Sequence, residues 1–181
     1  MGRIRETTPF TIFAGTAHPV LAQAIADRLG EALGHCTSGR FPDGEVLLRL
    51  EESVRGHHVF IVQPTSPPVD QHLMELLIFA DACRRAAASR ITAVVPYFGY
   101  ARADKRRGRR EPITASLVAE LMQGAGIDHV LTVDAHTDQL EGFFHIPMDD
   151  LTAVPEPSSV VLLGVGATVL WIRRRYHQTS M

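Results

Sequence analysis

VFIVQPTSPPVDQHLMELLIFADACRRAAASRITAVV, residues 59–95, decides the fold. Val59-Phe60-Ile61-Val62 is a continuous apolar run of the kind buried on both faces of a sheet, and residues 91–95 read as the next strand. Between them, residues 70–88 carry Leu73, Leu76, Leu77, Ala80 and Cys83 at core spacing, with Met74 and Ile78 widening the apolar face. That pattern predicts a long, largely buried helix. Strand, long helix and strand in succession imply parallel pairing through a right-handed crossover. The alternation continues on both sides. Residues 10–14 read as a strand and 18–29 as a helix with Leu21, Ile25 and Leu29 on one face. Residues 46–50 read as a further strand, 113–123 as a helix with Gly124 and Gly126 near its end, and 130–133 as another strand. No repeat of fixed period interrupts the series. The expectation is a layered α/β domain with a mainly parallel sheet and helices on both faces.

The composition agrees with one folded body. The 181 residues suit a single domain, and 45% hydrophobic with 21% charged residues excludes a disordered or collagen-like chain. Eighteen Lys and Arg against 20 Asp and Glu leave a formal charge of -2, so no general nucleic-acid-coating surface is expected and any phosphate site must be local. Cys36 and Cys83 match no C-x-x-C or zinc spacing and read as ordinary buried thiols of a reducing, cytoplasmic setting. No apolar run ahead of a cleavage site opens the chain, which predicts no secretory leader.

In parallel α/β sheets, ligands sit outside the carboxyl ends of the strands. Three segments leave a predicted strand with unusual chemistry: Gln63-Pro64-Thr65-Ser66, Tyr97-Phe98-Gly99-Tyr100-Ala101-Arg102 and Asp134-Ala135-His136-Thr137. The second runs into Arg102, Lys105, Arg106, Arg107, Arg109 and Arg110, opposed by Asp104, and then into a helix opened by Pro112. As a bare charge run this is a solvated loop. At a strand end, beside a helix start, it suits a polyphosphate gripped by arginine forks. Asp134 and His136, two positions apart, could face one side of their loop. A carboxylate with an imidazole can help hold Mg²⁺, an ion that keeps waters and binds through phosphates, although such a pair is more often a loop hydrogen bond than a ligand pair. Asp149 and Asp150 either extend that acidic group or cap a turn. Arg40-Phe41-Pro42-Asp43-Gly44-Glu45 reads as a tight turn between strands or as a nucleotide-base site in which Phe41 stacks on a purine. Neither G-x-x-x-x-G-K-[ST] nor G-x-G-x-x-G occurs, which disfavours a P-loop kinase and a dinucleotide dehydrogenase. The remaining histidines show no metal-ligand spacing.

Phe41-Pro42-Asp43-Gly44-Glu45, Glu52-Ser53-Val54-Arg55-Gly56, Gln63-Pro64-Thr65-Ser66, Met74-Glu75-Leu76-Leu77, Pro96 to Arg102, Arg110-Glu111-Pro112-Ile113-Thr114-Ala115 and Asp134 to Gln139 with Gly142-Phe143-Phe144 resemble, in order, the N-terminal half of ribose-phosphate pyrophosphokinase. The resemblance implies a phosphoribosyltransferase-like fold. It also implies transfer of the pyrophosphoryl group of MgATP to the 1-hydroxyl of ribose 5-phosphate, with release of AMP. By similarity, Phe41, Asp43, Gly44 and Glu45 would bind ATP at adenine, in the family often across a subunit interface. Arg102 would bind the ATP phosphates, and His136 with Asp134 would stand at the Mg²⁺ end. The chain departs from the family at Ala103, where a polar residue is common, and at His145, where an Asp is expected. The family's ribose-phosphate loop and its second basic catalytic loop do not occur. The expected catalytic set is therefore incomplete, and the chain is expected to need a second half for turnover. Expected partners are ATP, other copies of the chain or a full-length synthase, and ribose 5-phosphate only with that second half.

The composition breaks after residue 153. Val154-Pro155-Glu156-Pro157 leads into an apolar run, 160–172, closed by Arg173-Arg174-Arg175. This tail resembles the PEP-CTERM sorting tag of bacterial envelope proteins. As a helix the run would cover about 20 Å of a hydrocarbon core about 30 Å thick, which leaves a buried or interfacial helix and a marginal membrane anchor both open. The expected organisation is a domain over 1–153 and a tail over 154–181.

Overall fold

The computed structural model describes residues 9–151. Their elements in chain order are β1 (Phe10–Ala14), α1 (Pro19–Leu29), β2 (Cys36–Arg40), β3 (Val46–Leu50), β4 (His58–Val62), α2 (Val69–Arg85), β5 (Arg90–Val95), α3 (Thr114–Ala125), β6 (His129–Val133), a 3-10 helix (Asp138–Phe143) and β7 (Met148–Leu151). Five strands form a parallel sheet in the order β1-β4-β5-β6-β7, and β2 and β3 form a separate antiparallel hairpin.

Alternate residues of the strands feed two apolar layers. Phe13, Val59, Ile61, Ala93, Val95 and Val130 meet Leu76, Phe79 and Ala80 of α2 and Val118, Ala119 and Met122 of α3. Ile12, Phe60, Val62, Val94 and Leu131 form the opposite layer with Ala22, Ile25 and Ala26 of α1. Helices thus lie on both faces, as the period-2 and period-3.6 patterns require. Local chemistry sets the helix ends. Pro19 opens α1, the His18 imidazole accepts the Leu21 amide at 3.1 Å, and Gly30 closes the helix at φ +69°. Gly126 closes α3 at φ +103°, where a Cβ would also strike Arg84 Cδ at 2.6 Å.

Two strands differ from the sequence reading. The polar, small-residue segment Cys-Thr-Ser-Gly-Arg pairs as β2 because β3 offers it a complete ladder. Met-Asp-Asp-Leu pairs as the edge strand β7, where one acidic residue can remain exposed. The predicted tail helix and the 160–172 anchor lie outside the described residues. Among the described residues no helix is long and apolar enough to cross a membrane.

Candidate polyphosphate site

All five strands of the main sheet point their carboxyl ends the same way. Beyond β5 and β6, the segments 96–103 and 132–136 enclose a cavity of about 420 Å³, within the roughly 300–1,000 Å³ common for small-molecule sites. Arg102, Asp134 and His136 line it together, and all three are exposed there. The sequence placed these residues in different loops; the parallel sheet makes them neighbours.

The first wall is held firmly at its base. Phe98 is buried and packs edge-on against Phe144, with ring centroids 6.0 Å apart. The Thr65 hydroxyl donates to the Tyr97 carbonyl at 3.0 Å and accepts the Gly99 amide at 2.6 Å. A Cβ at Gly99 would lie 2.8 Å from the Thr65 carbonyl oxygen, so the close approach requires glycine there. The Tyr100 hydroxyl donates to the Asp70 carboxylate at the start of α2, and that bond pushes the phenol above its ordinary range.

The second wall is shaped by β7. Asp150 accepts the Ala135 amide at 3.0 and 3.1 Å, and the Asp134 amide donates to the Leu151 carbonyl at 2.9 Å. Of the two readings given for Asp149 and Asp150, turn support describes Asp150, while Asp149 pairs with His129 at 3.1 Å. Tyr100 and Asp134 both have positive φ, +67° and +48°. Both conformations are sparsely populated for non-glycine residues, so the surrounding hydrogen bonds hold the backbone there.

The arginine-rich segment follows the first wall. Arg102, Lys105, Arg106, Arg107, Arg109 and Arg110 are all exposed, and the stretch forms turns and bends. Glu111, which the sequence reading did not set against these charges, accepts the Arg107 and Gly108 amides at 2.8 and 2.9 Å and so closes the loop on itself. The start of α3 is partly committed. Ile113 is its cap, Pro112 lies one residue outside, and the Ala115 amide donates to Ala103 at 3.2 Å. The exposed cationic side chains are thus the donors this loop could offer to an anion.

Phe41, Asp43, Gly44 and Glu45 do not line the cavity. They form the turn of the β2–β3 hairpin, with the Phe41 amide on the Glu45 carbonyl at 2.8 Å, the Glu45 amide on Asp43 at 3.1 Å, and Gly44 at φ +92°. The tight-turn reading therefore describes their backbone, and Phe41 keeps 46% of its surface exposed.

For Mg²⁺, Asp134 and His136 supply one carboxylate and one imidazole, and among the described residues no group of three or more His, Cys, Asp or Glu side chains could hold a metal ion. This donor set does not make an all-protein cage. It fits an ion that arrives on a polyphosphate and keeps its waters. Neither cysteine competes as a reactive group: burial pushes Cys83 up to about 12 and, with Glu75 nearby, raises Cys36.

Fold and site together define an α/β domain of the phosphoribosyltransferase-like type with a polar cavity at its strand ends, followed in the chain by an arginine-rich loop. Residues 10–126 match the N-terminal domain of ribose phosphate pyrophosphokinase, and residues 153–175 match the PEP-CTERM protein-sorting motif. The chain belongs to the ribose-phosphate pyrophosphokinase family through that N-terminal domain. It is 54% identical over 150 residues to the ribose-phosphate pyrophosphokinase of Staphylococcus saprophyticus, covering 83% of this chain and 47% of that one. It is 53% identical over 144 residues to that of Thermotoga maritima, covering 80% and 46%. The crystal structure of phosphoribosylpyrophosphate synthetase from Mycobacterium smegmatis superposes with a TM-score of 0.79 at 47% identity, over 80% of this chain and 49% of that one. The chain spans about half the length of the relatives it matches.

Proposed function

We propose that this chain is the MgATP-binding half of a ribose-phosphate diphosphokinase. The observation that carries the reading is the convergence of Arg102, Asp134 and His136 on one cavity at the carboxyl ends of β5 and β6. In the reaction, the ribose 1-hydroxyl attacks the β-phosphorus of ATP, the bond from that phosphorus to the oxygen bridging the α- and β-phosphates breaks, and AMP leaves with the bridging oxygen. Such chemistry depends on positioning and charge neutralisation more than on covalent help from the protein. Arg102 grips phosphate oxygens with its planar fork, and the exposed cations that follow it neutralise the chain of phosphates. Asp134 and His136 would hold Mg²⁺ on the phosphates, and the ion supplies charge neutralisation as the β-phosphorus is attacked. Phe41, Asp43, Gly44 and Glu45, which form the hairpin turn and do not line the cavity, bind adenine for a neighbouring copy or for a full-length synthase subunit.

Calorimetric titration with MgATP tests the binding half of this reading: saturable one-site binding is expected, and its absence overturns it. Purified chain with ATP, Mg²⁺ and ribose 5-phosphate tests the division of labour. AMP formation above background would show that the chain needs no second half. The sorting motif over 153–175 favours a second reading, attachment of this domain to a membrane. Fractionation with and without residues 154–181 separates it from cytoplasmic residence: a full-length chain wholly in the supernatant eliminates the anchor.

A further inference from the structure

Glu75 is an acidic side chain only 1% exposed in the middle of α2. A buried carboxylate is costly unless its oxygens are well supplied with donors. Here the donors come from three separate parts of the chain. The Thr16 amide reaches it at 3.0 Å and the Thr16 hydroxyl at 2.5 Å, both from the turn after β1. The Gln63 amide group donates at 2.9 Å from the end of β4, and the Ser38 hydroxyl at 3.0 Å from β2. Gln63 is itself fully buried and accepts the Ala17 amide at 3.1 Å. Beyond this carboxylate, Cys36, Leu48 and Leu50 pack on the core and the Gly34 amide donates to the Ile12 carbonyl at 2.7 Å just before β2, so the base of the hairpin is tied separately while apolar contacts along its strands leave more freedom to slide than a directed bond does.

We propose that Glu75 is a positioning residue for nucleotide binding: it locks the β2–β3 hairpin, and with it the Phe41–Glu45 turn, at a fixed attitude to the main sheet. The proposal rests on the assignment of that turn to adenine. The lock acts through Ser38, two residues before Arg40, where the strand enters the turn. A single buried acceptor shared by β2, the β1 turn and β4 ties the hairpin to both neighbouring strand ends at once.

Hydrogen exchange on the full chain, read by mass spectrometry, tests the lock with Glu75→Gln, Ser38→Ala and Ser38→Thr. Losing a hydrogen bond to a buried charge should speed exchange of the hairpin amides, residues 36–50, about tenfold or more in Ser38→Ala. Exchange in α2 and β4 should be unchanged, and Ser38→Thr, which restores the hydroxyl, should return the hairpin to wild-type rates. MgATP affinity should fall in parallel in Ser38→Ala and recover in Ser38→Thr. Uniform loosening of α2, β4 and the hairpin in Ser38→Ala, or no loosening at all, overturns the lock. A loosened hairpin with wild-type affinity overturns its role in nucleotide binding. Glu75→Gln should loosen the hairpin at least as much as Ser38→Ala; a hairpin as protected as in wild type would overturn the carboxylate as the anchor. If the wild-type chain fails to bind MgATP, the proposed function falls, while the exchange pattern still decides whether Glu75 fixes the hairpin.

Discussion

Arg102 and Asp134 face the same cavity with opposite charges, so replacing each gives a different signature. On the proposed reading Arg102→Ala removes charge-assisted bonds worth about 1.5–3 kcal/mol, so ATP affinity should drop roughly 10- to 100-fold. Because the side chain is exposed, the thermal midpoint should stay put. Arg102→Lys should recover only part of the loss, since an ammonium cannot form the two-pronged bond. Asp134→Asn keeps a side chain that tolerates φ +48° and removes the charge. Titrations with and without Mg²⁺ should then show the gain from Mg²⁺ shrinking, while metal-free ATP binds no more weakly than to wild type. A Mg²⁺ gain equal to wild type would remove Asp134 from the metal end of the site.

Among the elements, the loops at the carboxyl ends of the strands depend on glycine at two tight contacts. A Cβ on Gly15 would lie 2.0 Å from Gln63 Oε1 and 2.5 Å from Gln63 Cδ, and one on Gly99 would meet Val69 Cγ1 at 2.5 Å. Gly15→Ala and Gly99→Ala should each destabilise the domain by about 1–3 kcal/mol, read as a lower urea midpoint. Little of this was visible beforehand. Residues 59–95 announce their strands and helix because apolar side chains at periods of 2 and 3.6 leave little choice. Arg102, Asp134 and His136 were legible as candidates because each follows a strand in a segment rich in chemistry. Cys36–Arg40 and Met148–Leu151 were not, because both are short and rich in small or polar residues; the first owes its ladder to its hairpin partner Val46–Leu50 and the second to the parallel strand His129–Val133. Glu75 hid inside a helix whose periodicity marks a core, and nothing local says that Thr16, Ser38 and Gln63 converge on it. The separation of the Phe41–Glu45 turn from the cavity was equally invisible, since motif order along a chain carries no distances.

At the scale of the whole molecule, the amino ends of the strands gather a second polar group whose buried histidines oppose folding in acid. His58 stacks on Phe60 with centroids 4.2 Å apart and bonds Thr92 at 2.8 Å; burial, then Arg90 and His129, push it from an ordinary value near 6.5 down to about 3. Burial also lowers His129, with Asp149 opposing the shift. The unfolded chain takes up a proton on the His58 ring near pH 6.5 and the folded chain does not until about pH 3. The His58 contribution is therefore complete above pH 6.5 and declines as the pH falls toward 3, and His129 acts in the same direction. Urea unfolding at pH 7.5 and pH 5 should differ by about 2 kcal/mol for His58 alone, in favour of pH 7.5. His58→Gln should flatten that slope, and an unchanged slope would point to other groups. The opposite end of the sheet has a mechanical consequence. β7 runs parallel to β6, and its last described residue, Leu151, receives the Asp134 amide at 2.9 Å. A pull applied to the chain beyond Leu151 along the strand therefore loads the β6–β7 bonds together, in shear, and its first point of purchase is the loop that carries Asp134. Force carried along β7 and the placing of the Asp134 loop thus meet in one backbone bond.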